Sequence, residues 1–382
     1  MAHRPRVMVV FGTRPEAIKL APVVAALRDC VALTTWVVST GQHRDLAQQI
    51  QDEVGLVPDV ELKLMRENQS PNEFLASAIR SLDTEMQSWR PDLVLVQGDT
   101  ASAFGGTMAA FYLRLPVGHV EAGLRTEDVY SPFPEEAQRR LISVLSSLHF
   151  APTARNLGVL LREGVDRDRI LVTGNTAIDA VQVISSIPFC EWRQDIAEAL
   201  TRGGRLILAT VHRRENIGGG ILGVLRALDR LAEDLADVTV VLQVHPNPQV
   251  QSEIAASLAE ESRVILVPPL GYTEFIALLS RASLVITDSG GVQEEAPSLG
   301  VPVLITRDET ERVEGVESGA SVLVGTNPSV IVSRARSYLD GYLDPQAQGL
   351  LPSPYGDGSA SRRIVEGILW HFGLGERPLE FK

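Results

Sequence analysis

The chain is short of cysteine. Its 382 residues hold only Cys30 and Cys190. Two such distant residues make neither a CxxC pair nor a disulfide framework, which suits a reducing cytoplasm. Positive charge is also scarce, with 35 Lys and Arg against 48 Asp and Glu, a net charge of −13. That balance argues against a nucleic-acid-binding surface, while leaving room for a local basic pocket that holds a phosphate. Long apolar runs are missing as well. The first, VMVVF, stops at Gly12. It is too short for a signal peptide, and no stretch approaches the ~18 residues of a membrane span. No HExxH motif or cysteine cluster points to a metal, and no GxSxG elbow marks a serine hydrolase. No low-complexity tract or short-period repeat appears.

What the sequence has is a rhythm. Short β-branched runs recur at 6–12, 33–41, 92–99, 115–121, 149–153 and 170–175, most of them followed by a helix-like segment. After a connector near SSIPFCEWRQD the scheme restarts at 205–213, 238–246, 263–269, 283–291, 301–307 and 321–326. Continuous apolar strands alternating with helices predict parallel sheets covered on both faces. We therefore expect an α/β protein of two Rossmann-like domains, 1–180 and 181–382. The segment SASRRIVEGILWHFGLG reads as a last helix ended by Gly373, one able to pack back on the first domain.

Ligands in such sheets bind beyond the carboxyl ends of strands, and in a two-domain protein in the cleft between domains. The strand ends here are polar. TDSGGVQEEAPSLG (287–300) turns a strand into a helix at Ser289, Gly290 and Gly291. Its bare backbone and helix N-terminus suit an anion such as a diphosphate, with Glu294 or Glu295 able to accept from ribose hydroxyls; an ordinary β-α turn with dipole-matched acids reads equally well. The turn lacks both the GxGxxG and the P-loop spacing. FGTRPEAIK places Arg14 and Lys19 after the first strand, facing phosphates or solvent. QGDT ends a strand at Asp99, which is also a fair helix cap. GHVEAGLRT carries His119, Glu121 and Arg125, and SPFPEEAQRR carries Glu135 and Glu136. Asp99, Glu121 and Glu135 brought to one cleft would raise one another's pKa values and divide acid and base roles. TVHRREN sets His212 beside Arg213 and Arg214, fit for an anion or a proton transfer, and His245 follows another strand.

These segments occur in one order from about Val7 to Gly325, together with TGQHRDL, VTGNTAID, VHPNP and ERVEGVESG. In that series the chain resembles the non-hydrolysing UDP-N-acetylglucosamine 2-epimerases. The resemblance implies a glycosyltransferase-B-type fold and interconversion of UDP-GlcNAc and UDP-ManNAc, with neither nicotinamide nor metal. It implies loss of the C2 proton with anti elimination of UDP, a bound 2-acetamidoglucal, and return of UDP with protonation on the other face.

Carried onto this sequence, Asp99, Glu121 and Glu135 are the acid/base carboxylates, and His212 is the histidine at the departing phosphate. Arg14 and Lys19 lie near substrate, Ser289, Gly290 and Gly291 hold the diphosphate, Glu295 takes the ribose, and Phe275 stands where an aromatic meets uracil. The resemblance further implies a homodimer. It also implies UDP-GlcNAc as an allosteric activator at Gln42, Glu136, Arg213 and His245. One departure is Asn68, where activated members carry an arginine; Arg66 lies two positions away. A hydrolysing epimerase, an epimerase of C3-modified UDP-hexosamines, a UDP-sugar transferase of the same fold and a UDP-sugar sensor are the competing readings. A transferase needs only one main base, and a sensor would have lost an acid or His212.

Overall fold

The structure, a computed structural model, describes residues 4–42, 53–126, 128–201, 203–212, 219–257, 262–341 and 353–382. Two compact units form, Met1–Val183 with Gly356–Lys382, and Ile184–Tyr355.

In the first unit, β1 (Arg6–Phe11), α1 (Arg14–Asp29), β2 (Thr34–Ser39), β3 (Val60–Glu61), α2 (Pro71–Trp89), β4 (Leu93–Gln97) and α3 (Ala101–Tyr112) come first. Then follow β5 (Val117–Val120), α4 (Glu135–Leu145), β6 (Leu148–Ala151), α5 (Ala154–Arg162), β7 (Ile170–Val172) and α6 (Thr176–Ser185). The strands form one parallel sheet in the order β3-β2-β1-β4-β5-β6-β7. Alternate side chains of β1 feed two cores. Val7, Val9 and Phe11 pack with Leu20, Val23, Val24 and Leu27 of α1. Met8 and Val10 pack on the other face with Phe74, Ala78 and Leu82 of α2. Burial on both faces is why these strands are unbroken apolar runs.

The second unit repeats the plan. It runs α7 (Gln194–Thr201), β8 (Arg205–Val211), α8 (Gly220–Asp234), β9 (Val238–Val244), α9 (Pro248–Ser257), β10 (Ile265–Val267) and α10 (Tyr272–Leu279). It continues with β11 (Leu284–Thr287), α11 (Gly290–Ser298), β12 (Val303–Ile305), α12 (Val313–Glu317), β13 (Ser321–Leu323) and α13 (Pro328–Leu339). Its parallel sheet has the order β10-β9-β8-β11-β12-β13. Both sheets change winding direction beside their first strand, so the loops after β1, β4, β8 and β11 flank the switch points where such sheets take ligands.

The last helix, α14 (Ala360–His371), belongs to the first unit. Ile364, Val365 and Ile368 join the α1 side of that core. Buried Asp179 holds its start by accepting the N–H groups of Ala360 (3.1 Å) and Ser361 (2.7 Å). The second unit ends at Tyr355, and α14 buries its apolar stripe against α1. Of the strands, only the two-residue edge strand β3 had no counterpart among the apolar runs. Among the described residues, no helix is long and apolar enough to cross a membrane.

Candidate active site

Neighbouring strands β1, β4 and β5 deliver the first group of functional side chains. Glu121 follows β5 with φ at 66°, the left-handed region. For a residue with a Cβ that conformation costs roughly 1–2 kcal/mol, and such strain gathers at functional sites. Lys19, from α1, donates to both carboxylate oxygens at 2.8 and 2.7 Å. The Gln97 amide donates to Oε2 as well. Three elements thus aim one carboxylate.

Asp99 stands after β4 on a turn made by Gly98, whose φ is 68°. Arg139 of α4 forms an ion pair with it and reaches Glu136 at 3.3 Å. Burial raises the Asp99 carboxyl above its usual range; Arg139 opposes this, Glu121 adds to it, and Lys19 opposes it. Those same charges show that Asp99, Glu121, Lys19 and Arg139 share one field. Glu135 opens α4 four residues before Arg139, so it lies on the helix face that looks toward Asp99. Glu136 is fully buried, accepting from Arg140 Nε at 2.6 Å and the Thr126 N–H at 3.0 Å. His119 braces the Gly98 turn, its Nε2 lying 2.8 Å from the Gly98 carbonyl. Burial lowers its pKa to about 4, so the ring is neutral and Nε2–H donates.

Arg14 lies at the start of α1 and forks onto Glu53, with two bonds of 2.9 Å. Gln42 accepts from Ser102 Oγ at 2.9 Å, and Ser102 also meets Thr40 at 2.7 Å. Gly12 is required beneath them, since a Cβ there would stand 1.9 Å from Ser102 Oγ. Asn68 occupies the left-handed region at φ 58°, which asparagine tolerates better than arginine. Arg66 is exposed and its backbone N–H donates to Gln69.

Buried Glu16 ties two of these turns together. It accepts from the N–H groups of Gly12 (3.0 Å) and Thr13 (2.8 Å), and from the hydroxyls of Thr13 (2.8 Å) and Thr100 (2.6 Å). Burial nonetheless pushes its pKa up to about 7 against these donors. A carboxyl raised on folding contributes stability that is full below its unfolded pKa and is lost as pH rises through the folded one. Stability should therefore fall between about pH 5 and 8, and Glu16→Gln should flatten that slope. Urea melts across this range check it; equal slopes in both proteins would refute the assignment.

The second unit presents a different set. Ser289 caps α11, and Gly290 and Gly291 open it. The guanidinium of Arg312 lies against Gly290, where a Cβ would stand 3.0 Å from Cζ. Arg312 Nε also donates to Glu294 at 3.0 Å. Glu311 beside it is held down at about 2: burial opposes ionisation, but Arg312, its own backbone N–H and Arg307 outweigh that. Glu295 accepts from the Tyr272 hydroxyl at 3.0 Å. Phe275, one turn on from Tyr272, is 8% exposed in the core of this unit. His212 directly follows β8, with Nδ1 3.2 Å from Asp288, and its ring stacks on His245 at 5.1 Å between centroids.

The fold thus groups Asp99, Glu121 and Lys19 in the first unit, with Glu135 on the adjoining helix face. It groups His212, His245 and the Ser289–Gly291 turn in the second. Arg14 instead pairs with Glu53, and Glu136 is locked in the interior. Arg213 lies outside the described residues. Arg312, which lies against the Gly290 turn, was not singled out from the sequence; its only signal was its place in ERVEGVESG, the lone cation of that acidic segment. Among the described residues, no cluster of His, Cys, Asp and Glu could hold a metal ion.

Comparison with known proteins extends over nearly the whole length of the chain. The family model for UDP-N-acetylglucosamine 2-epimerase matches residues 25–369. The UDP-N-acetylglucosamine 2-epimerase of Bacillus subtilis is 44% identical over 379 residues, covering 98% of each chain. A crystal structure of the UDP-GlcNAc 2-epimerase of Neisseria meningitidis, bound to UDP-GlcNAc, superposes with a TM-score of 0.86. It is 41% identical and covers 96% of this chain and 100% of its own. The spinosyn rhamnosyltransferase SpnG shares the fold at a TM-score of 0.55 and 16% identity, covering 95% of this chain and 100% of its own. With two Rossmann-like sheets, a strained glutamate at one strand end and a glycine turn on a helix start at another, the chain belongs to the UDP-N-acetylglucosamine 2-epimerase family.

Proposed function

We propose that this protein interconverts UDP-GlcNAc and UDP-ManNAc without net hydrolysis. The Ser289–Gly291 turn, with Arg312 behind it, holds the diphosphate, and Glu295 with Tyr272 takes the ribose. His212 meets the phosphate that departs. Asp99, Glu121 and Glu135 remove the C2 proton as UDP departs, and deliver a solvent-exchangeable proton to the opposite face while UDP adds back to the glucal. The observation that carries this reading is Glu121. Three hydrogen bonds and a left-handed backbone fix one carboxylate beside a second, Asp99, whose proton is held more tightly than usual. Two neighbouring carboxyls with unlike environments are what a step needing both an acid and a base requires. The UDP-GlcNAc bound by the Neisseria relative supports the substrate.

The test is a reaction in D2O. UDP-GlcNAc should yield UDP-ManNAc carrying deuterium at C2, with UDP not accumulating. Product without deuterium would sink the proton-transfer route, and free ManNAc with stoichiometric UDP would place the protein among the hydrolysing enzymes. A homodimer belongs to the same proposal. Leu141 and Val144 of α4, and Phe111 and Tyr112 at the end of α3, are exposed apolar side chains on two helices that pack together. A light-scattering mass of one chain would overturn it.

A further inference from the structure

Asp288 has no role in the chemistry above, yet it is fully buried beside it. Its carboxylate accepts the His212 backbone N–H at 3.1 and 3.0 Å and lies 3.2 Å from His212 Nδ1. Two attachments, one to the main chain and one to the ring, fix the imidazole and place a proton on Nδ1. Nε2 is then the nitrogen left to face a ligand. Asp288 also directly precedes Ser289, Gly290 and Gly291, so the segment that offers free N–H groups to an anion anchors the imidazole too.

An ionised phosphate oxygen only accepts hydrogen bonds, so Nε2 can bond to it only as N–H. With Nδ1 already carrying a proton toward Asp288, that requires the imidazolium. We propose that Asp288 makes nucleotide-diphosphate binding proton-coupled: as the diphosphate enters, His212 takes one proton from solvent onto Nε2, and Asp288 balances the charge. The N–H bond formed is the only covalent change, and no bond of the nucleotide breaks in this step. The inference rests on the reading that His212 meets the diphosphate.

The surroundings favour this site for the charge. Among the described residues, the titratable groups facing the imidazole are Asp288, from the β11–α11 turn, and His245, from the end of β9. The two rings lie nearly parallel at 13°. His245 Nδ1 accepts the Asn247 N–H at 3.2 Å, so its own proton sits on Nε2. Burial, followed by the neighbouring His212, lowers the His245 pKa, and Asp288 opposes them. Two stacked imidazoles resist double protonation, and of the two rings it is that of His212 whose Nδ1 lies 3.2 Å from the carboxylate. His245 therefore stays neutral while His212 charges. In the epimerisation the same N–H stays on the departing UDP, which must come back.

Calorimetry of UDP binding in buffers of low and high ionisation enthalpy counts the protons. The terminal phosphate of UDP itself titrates near neutrality, so the quantity read is the difference from His212→Asn. Wild type should take up more protons than His212→Asn at about pH 7.5, with about one per bound UDP as the ceiling. Asp288→Asn should lose that excess and bind UDP about tenfold more weakly. Equal UDP affinity in wild type and His212→Asn would remove His212 from the diphosphate. Weaker binding by His212→Asn without excess proton uptake in wild type would overturn the proposal and leave that role standing. Asp288→Asn can fail to fold, so 15N histidine NMR puts the question to the unmodified protein. Both ring nitrogens of His212 should carry protons in the UDP complex; a neutral tautomer there would overturn the proposal.

Discussion

Glu121→Gln should lower kcat by about 10²–10⁴, the usual contribution of a positioned acid or base. The substitution keeps the size of the side chain and its left-handed backbone, so the fold should survive. It removes the charge that Lys19 grips at 2.7 and 2.8 Å. One oxygen also becomes an NH2 group, yet both oxygens of Glu121 now face donors, from Lys19 and Gln97. One of those bonds must be lost and the amide must turn. KM should move far less than kcat, because Glu121 is assigned to the sugar's proton and the grip on the diphosphate is assigned to the second unit. Exchange of the C2 proton with D2O should slow in parallel with turnover. A kcat within about threefold of wild type, with the fold intact by circular dichroism, would take Glu121 out of the proton transfer.

Arg139→Ala should cost the most stability, about 3 kcal/mol, at the low end for breaking one partner of a buried pair. Arg139 is 7% exposed and spans Asp99 and Glu136. Glu136 keeps Arg140 and the Thr126 N–H, which is why the larger penalty is not expected. Asp99 loses the chief group that opposes its burial, so its carboxyl rises further. The sign is fixed: a smaller fraction of Asp99 is ionised at any given pH. The limb of the pH–rate profile that reports this ionisation should move to higher pH. Arg139→Lys should restore the charge but not the fork, and so recover only part of both effects. Urea melts and a pH–rate profile decide it. An unchanged midpoint and an unmoved limb would show that the ion pair matters to neither.

Much of the architecture was legible in the residues because parallel strands buried on both faces must be apolar throughout. β1, β4, β8 and β11 are such runs, and each ends where a polar or glycine residue stops it. β3 was not legible, since two residues at a sheet edge carry no period. The last helix was legible as a helix, and its return to the first domain could be raised but not decided, since its stripe of Ile364, Val365 and Ile368 suits any apolar face.

The sequence by itself determined the alternation of strand and helix, and which side chains stand at strand ends. It placed Asp99, Glu121, His212 and the Ser289–Gly291 turn there, since strand ends are where a doubly wound sheet exposes chemistry. Only the tertiary structure decided who touches whom. Lys19 reaches Glu121 across 102 positions of sequence, and Asp288 holds His212 across 76. Arg14 turned to Glu53, and Arg312 came to lie against Gly290. Local pattern follows from the backbone's fixed periods, whereas these pairings depend on sheet order and register, which no short stretch of residues carries.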